Sequence, residues 1–438
     1  MRRQSVRLIL GIFVFLAAAP CEISGLSAQQ SRAARPERAV AKARPFAPAR
    51  LLRVFRGSGE EVRHKELDNI ERYHLDETGV APALWQAIEP SLNVKQAPDS
   101  LLRAVRLYGL LDDDDGTRRL FSLLTAPDPR VVLLAIDILA TQRPAAALER
   151  LIALQKHPAY STHYGLRHAV VSAVAKFDDP ASVEFLIAAV ASLDGQLKYV
   201  AARQLARLTG QHFGSKSDEW RQWWELNRTG FRVAGTSAVP GSFLPVAVTK
   251  PLADSIPWAY DVPQFFGTPI FAKRVVFVID KSKSMLSSVA GVTRLDDAEK
   301  QLEAAIRGLP DDAWFEIIAY NDSEQVYRGQ LAPATPGEKS GAAQFLYSLV
   351  AEGQTDIYDT LSDALQVDPN LEAILFLSDG DPNVGTIVDR ATIIQRITQQ
   401  NAARRISINT IGIDARGPSE DFLKQLAADN FGEFRSSR

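Results

Sequence analysis

The sequence predicts two folded parts, an all-α array of stacked helices followed by a doubly wound α/β domain with a mainly parallel sheet. Three observations carry this. Between residues 61 and 228 apolar positions recur at intervals of three and four, in segments separated by Asp, Gly and Pro. Between residues 271 and 438 short continuous apolar runs alternate with amphipathic stretches, the pattern of strands covered by helices on both faces. The length, 438 residues, exceeds what one ordinary domain holds.

The composition is that of a globular chain, with 46% hydrophobic and 23% charged residues and a net charge of −2. Such a balance disfavours nucleic acid as the main partner, which requires a concentrated basic surface. The N-terminus reads as a secretory signal over residues 1–28. Arg2, Arg3 and Arg7 precede an apolar run from Leu8 to Pro20, and Leu26-Ser27-Ala28 forms a small-residue exit. That run is shorter than the roughly 20 residues a bilayer span needs, and no transmembrane segment is expected later. Gln4-Ser5-Val6 does not suit twin-arginine export, and Pro20 before Cys21 is a poor lipobox. Cleavage after Ala28 would remove Cys21, the only cysteine. The expectation is therefore an exported protein, periplasmic or extracellular, without disulfides or thiol chemistry.

Residues 29–60, rich in Ala, Arg and Pro, read as a disordered basic linker, with weak attraction to an anionic envelope surface as a further expectation. The helical segments that follow include SLLRAVRLYGLL, RVVLLAIDILA, GLRHAVVSAVAKF and QLKYVAARQLARL. Breakers such as Pro127-Asp128-Pro129 and Asp178-Asp179-Pro180 separate them. DPRVVLLAIDIL resembles a HEAT-like repeat, and arginines at 130, 167 and 203 recur at about the spacing of a helix pair. The resemblance implies a stacking or docking domain over 61–228. GQHFGSKS is not a phosphate loop, because Ser215 intervenes before Lys216 and a helix precedes it. Ser217 is expected to cap a last helix whose buried face carries Trp220, Trp223 and Trp224.

Residues 229–270 carry Pro, Gly and aromatic residues and read as an extended connector packed against its neighbours. Within 271–438, RVVFVID, WFEIIAYN, AILFLSD and SINTIGID are expected as strands, with EQVYRG at an edge. RLDDAEKQLEAAIRGL, EKSGAAQFLYSLV, IYDTLSDAL, ATIIQRITQQNAA and SEDFLKQLAAD are expected as helices. Asp296-Asp297 and Asp311-Asp312 read as helix starts, where the dipole favours acids.

In such a sheet, ligands bind beyond the carboxyl ends of the strands, where strand order reverses. Asp280 ends the first strand, in DKSKS, with Ser282 and Ser284 following at a spacing of two. Thr355 lies in EGQTDIYDTL, and Asp379 ends AILFLSD. All five side chains offer oxygen, which suits a hard cation such as Mg²⁺, with Mn²⁺ or Ca²⁺ as alternatives. If the loop is locally extended, Lys281 and Lys283 face solvent as a positive rim. In a rival arrangement the Lys283 ammonium folds in and replaces the cation.

The C-terminal domain resembles a von Willebrand factor type A domain. DKSKS matches the family pattern D-x-S-x-S, GQTDI its threonine loop, and SDG its T-D-G. The resemblance implies a metal-ion-dependent adhesion site. Ser282, Ser284 and Thr355 would be direct ligands, Asp280 and Asp379 would act largely through water, and an acidic residue of a protein partner would complete the cation's shell. Gln354 and Lys283 depart from common family glycines. All six histidines precede this domain, so no Ser-His-Asp set can form within it. The sequence therefore favours a non-enzymatic, exported binding protein, with the helical array as a second docking surface. An accessory subunit for an envelope enzyme or metal centre, and a structural domain with a vestigial site, are the alternatives.

Overall fold

The computed structural model describes residues 45–231, 262–289 and 291–437. The signal segment, Cys21, most of the basic linker and the middle of the connector lie outside these residues. Among the described residues, eleven α-helices form the array: α1 Pro48–Gly57, α2 Glu60–Tyr73, α3 Val80–Ile88, α4 Asp99–Tyr108, α5 Gly116–Leu123, α6 Pro129–Gln142, α7 Ala147–Ala153, α8 Tyr164–Val174, α9 Pro180–Ser192, α10 Gly195–Thr209 and α11 Ser217–Asn227. Their apolar faces share one continuous core running from Leu51 to Trp224.

The Asp-Pro-Arg motif has a physical role at the junctions. Asp128 caps α6 by accepting the Arg130 N–H at 2.8 Å, and Pro129 takes a helix-start position where no N–H is needed. The same carboxylate accepts the Ala97 N–H at 2.6 Å, while Arg130 Nη2 donates to the Ala97 carbonyl at 2.6 Å. One helix start is thereby tied to the loop leading into α4. Asp179 repeats the cap on α9, accepting the Ala181 N–H at 2.8 Å.

Two boundaries differ from the sequence reading. The linker expected over 29–60 contains α1, in which Leu51, Val54 and Phe55 turn inward. Arg53 and Arg56 lie exposed on its other side and Arg50 pairs with the buried Glu66, so a basic composition concealed an amphipathic helix. At the connector's end, Phe265 and Ile270 are buried in the α/β core. Ser217 is the first residue of α11 and caps nothing, although Trp220 and Trp224 are buried as expected and Trp220 Nε1 donates to the Gly214 carbonyl at 2.9 Å.

The α/β domain is built on strands β1 Arg274–Asp280, β2 Trp314–Tyr320, β3 Glu324–Val326, β4 Ala373–Ser378, β5 Ser407–Gly412 and β6 Phe434–Ser436, with a short Ala332–Pro333 strand on β2. The order across the sheet is β6-β5-β4-β1-β2-β3. All neighbours are parallel except β3 and Ala332–Pro333, which run antiparallel to β2. β6 is not visible in sequence, since Phe434-Arg435-Ser436 is short and half-buried. Helices α12 Arg294–Gly308 and α13 Pro336–Leu346 cover one face, against Val275, Phe277 and Ile279. Helices α14 Ile357–Ala364, α15 Arg390–Asn401 and α16 Pro418–Asp429 cover the other, against Val276 and Val278. Asp296 and Asp297 do lie in the first turn of α12, Asp296 in a capping box with Thr293. Asp311 and Asp312 instead occupy the turn into β2, where Asp312 pairs with Lys273.

The array docks on the amino ends of the strands. Glu372, just before β4, accepts the Gln196 N–H at 2.9 Å and the Lys273 N–H at 3.2 Å. Gln196 Nε2 donates to Ser407 Oγ at 3.2 Å, and Arg203 pairs with Glu433 at 2.7 Å. Tyr199 stacks on Phe271 with centroids 4.0 Å apart, and His168 meets Phe431 edge-on at 4.9 Å. A Cβ at Gly165 would lie 2.2 Å from the Ala403 carbonyl oxygen, so only glycine lets α8 come this close.

Candidate functional site

The order reversal lies between β1 and β4, which pair in parallel from Val275 opposite Ala373 to Ile279 opposite Leu377. Their carboxyl ends therefore deliver Asp280 and Asp379 side by side, at the end of the sheet remote from the helical array.

Asp280 is wholly buried. Its Oδ1 accepts the Ser282 N–H at 2.8 Å, a local bond that bends the chain as it leaves β1. Its Oδ2 accepts the hydroxyls of Ser378 at 2.9 Å and Tyr320 at 3.3 Å. Burial pushes the Asp280 carboxyl up to about 6, and the neighbouring negative charge of Asp379 adds to this. From here a row of oxygens leads outward. Ser282 Oγ lies 2.9 Å from Ser284 Oγ, and the Ser284 hydroxyl donates to Asp379 Oδ1 at 2.7 Å. Ser282 is buried and Ser284 exposed, so the row reaches the surface.

The loop carrying Thr355 is laced to the same turn. The Lys281 carbonyl accepts the Glu352 N–H at 2.9 Å, and Lys283 donates its N–H to the Gly353 carbonyl at 3.2 Å. Gly353 has φ +74°, and a Cβ there would sit 2.2 Å from Asp322 Oδ1. Thr355 is buried, two residues further on, and is gripped from both sides by Asn383. Asn383 Oδ1 accepts the Thr355 N–H at 2.9 Å, and the Asn383 N–H donates to the Thr355 carbonyl at 3.1 Å.

The lysines do not behave alike. Lys283 is exposed, but Lys281 is only 6% exposed, contrary to the expectation that both face solvent. Alternation fails at Lys281 because the chain is flanked on both sides there, its N–H donating to the Tyr320 carbonyl at 2.7 Å and its carbonyl accepting the Glu352 N–H.

Four further residues shape the site and escaped the sequence reading. Asn383, four residues after Asp379, carries no sign of its role in the sequence. Ser378 and Tyr320 read only as strand ends. Arg294, the first residue of α12, reads as an ordinary exposed helix residue. Its Nη1 in fact donates to Asp379 Oδ2 at 2.6 Å, and the same guanidinium reaches Asp414 at 3.3 Å.

The five candidate donors are chemically of one kind, two carboxylates and three hydroxyls, the hard oxygens that Mg²⁺ or Ca²⁺ takes. Side-chain hydrogen bonds join Ser282, Ser284 and Asp379, whereas Thr355 is tied in through its backbone. Among the described residues no three carboxylate, imidazole or thiol groups are placed to hold a metal ion, so a cation here would depend on the hydroxyls. The described histidines nearest the α/β domain are structural. His163 Nδ1 accepts the Leu166 N–H at 3.1 Å as a helix cap, and burial lowers His168 to about 3, with Arg405 adding. No helix among the described residues is long and apolar enough to cross a membrane.

Comparison with known proteins agrees with this architecture. Residues 273–435 match the family model for the von Willebrand factor type A domain, and residues 117–206 match that for HEAT repeats. Inter-alpha-trypsin inhibitor heavy chain H4 of Homo sapiens is 31% identical over 180 residues, which are 38% of this chain and 18% of the relative. Heavy chain H2 of Sus scrofa is 28% identical over 171 residues, 36% of this chain and 17% of the relative. The chain thus spans under a fifth of these relatives' lengths. Among solved structures, a von Willebrand factor type A protein from Catenulispora acidiphila is 23% identical with a TM-score of 0.33, covering 37% of this chain and 38% of that one. The PilB minor pilin from Streptococcus sanguinis is 16% identical with a TM-score of 0.31, covering 39% of this chain and 58% of that one.

Proposed function

We propose that this chain, a von Willebrand factor type A domain carried behind HEAT-like repeats, is a non-enzymatic exported protein that binds a protein partner through a divalent cation. The cation is Mg²⁺, with Mn²⁺ and Ca²⁺ as alternatives. It is held by Ser282, Ser284 and Thr355, with Asp280 and Asp379 balancing its charge largely through water. The observation that carries this reading is the oxygen row Ser282–Ser284–Asp379, with links of 2.9 and 2.7 Å, rising from buried Asp280 to an exposed hydroxyl. A cation held mainly by neutral hydroxyls stays electrophilic and can accept a carboxylate from another molecule. Leu286 and Val350, both exposed, lie on the two loops that flank the site and supply apolar surface for the rest of such a partner. The repeats serve as a second docking surface through helix faces not used by the α/β domain, since parts of α8 and α10 are already engaged.

The test is partner capture from envelope extract with wild type and Asp379→Ala, each with Mg²⁺ and with chelator, alongside calorimetric titration of Mg²⁺. Cation binding and partner capture are both expected for wild type with Mg²⁺ alone. The same partners under all four conditions would overturn cation-mediated binding.

A further inference from the structure

The two oxygens of Asp379 have separate duties. Oδ1 receives the Ser284 hydroxyl on the side of the candidate cation site, whereas Oδ2 receives the Arg294 guanidinium at 2.6 Å. The Asp379 side chain is fully shielded from solvent and Arg294 is 22% exposed, so water screens this pair poorly. Arg294 is also held in place from behind. Its N–H donates to the Ser287 carbonyl at 3.0 Å, and the Thr293–Asp296 capping box fixes the helix start on which it sits. Its second arm reaches Asp414, in the loop after β5, whose Ile413 N–H in turn donates to the Ser378 carbonyl at 3.0 Å. One side chain thus joins the start of α12 to the loops that follow β4 and β5.

We infer that Arg294 is a built-in positive charge that sets how tightly this site holds a divalent cation. This rests on the cation reading above. Asp280 and Asp379 are two carboxylates withdrawn from water at one point, and without a counter-charge they repel each other. Arg294 supplies that counter-charge whether or not a metal is bound, so the site persists in the cation-free protein. The cost falls on cation affinity, because an arriving dication meets an Asp379 already half neutralised and a fixed positive charge beyond it. A bound cation then keeps more of its charge for a partner's carboxylate, and occupancy responds to ambient cation.

The experiment compares wild type with Arg294→Met and Arg294→Gln by calorimetric titration with Mn²⁺ alone and by thermal denaturation in chelator. Gln removes the charge but retains an N–H for Asp379, so it separates charge from positioning. Both variants are expected to bind Mn²⁺ at least about fivefold more tightly than wild type, the scale of removing one charge near a ligand cage. Both are expected to melt lower in chelator and to recover with Mn²⁺. If wild type binds Mn²⁺ and neither variant binds it more tightly, the inference is overturned while the cation site stands. A wild-type affinity retained in Gln and lost in Met makes Arg294 a positioning residue only, which also overturns it. If none of the three proteins binds Mn²⁺, the cation reading itself fails and takes this inference with it.

Discussion

The Glu372 carboxylate at the foot of β4 accepts the backbone N–H of Gln196, 176 residues earlier, at 2.9 Å. This contact ties the helical array to the amino end of the sheet and leaves the carboxyl end, with Asp280 and Asp379, uncovered by it. Burial raises Glu372 from 4.5 to about 7, with the Gln196 and Lys273 N–H groups opposing the shift. The folded protein therefore holds this proton more tightly than the unfolded chain does. Stability from the group is complete below about pH 4.5 and is lost as pH rises through about 7. Glu372→Gln retains an acceptor oxygen for both N–H groups and cannot ionise. Its expected effect is a flatter stability profile, with a gain of roughly 1–3 kcal/mol at pH 8 and none at pH 4.5. Chemical denaturation at the two pH values measures this, and identical wild-type and variant profiles would refute it.

Gly165 tests the same interface sterically. A Cβ there meets the backbone oxygen of Ala403, which cannot swing aside as a side chain can. Gly165→Ala should lower stability by about 1–3 kcal/mol and split the calorimetric transition as the two parts uncouple. An unchanged single transition would mean the close approach carries no energy.

Trp220, on the inner face of the last helix of the array, is fully buried and its indole N–H is satisfied. Trp220→Ala should cost about 3–5 kcal/mol, the usual range for emptying such a site. Urea denaturation reads this directly. A loss below about 1 kcal/mol would mean that α11 is not needed to close the core.

Asn383 holds the Thr355 peptide from both sides. Under the cation reading, Asn383→Ala should weaken Mg²⁺ binding by about 10- to 100-fold, the scale of lost outer-shell support. The melting temperature should change little, because one loop bond is lost at the surface end of the sheet. Undiminished Mg²⁺ affinity in calorimetry would show that Thr355 needs no such support.

Lys283 is exposed, and its side chain projects from a turn whose backbone is already bonded to Gly353. Lys283→Gly should alter Mg²⁺ affinity by less than about twofold at physiological salt, where exposed charges are screened. A large gain would restore the rival in which this ammonium occupies the cation position.

Sequence alone is enough to specify the layered fold and to bring Asp280 and Asp379 to neighbouring strand ends. Strand and helix periods are local properties, so RVVFVID could be read as β1 and RLDDAEKQLEAAIRGL as α12 without any knowledge of their neighbours. Asp280 and Asp379 were legible because a doubly wound sheet allows only one place for the ends of β1 and β4 to meet. Amphipathic α1 was hidden within an arginine-rich stretch because charge density dominates composition, whereas burial depends on which side of the helix each arginine takes. Packing in three dimensions sets relations between residues whose chemistry is ordinary. Arg294 on Asp379, Asn383 on Thr355, Lys281 turned inward, and Gln196 on Glu372 each join segments far apart in the chain or reverse a local alternation. Their partners are chosen by how the layers pack, and one-dimensional spacing carries no record of that choice.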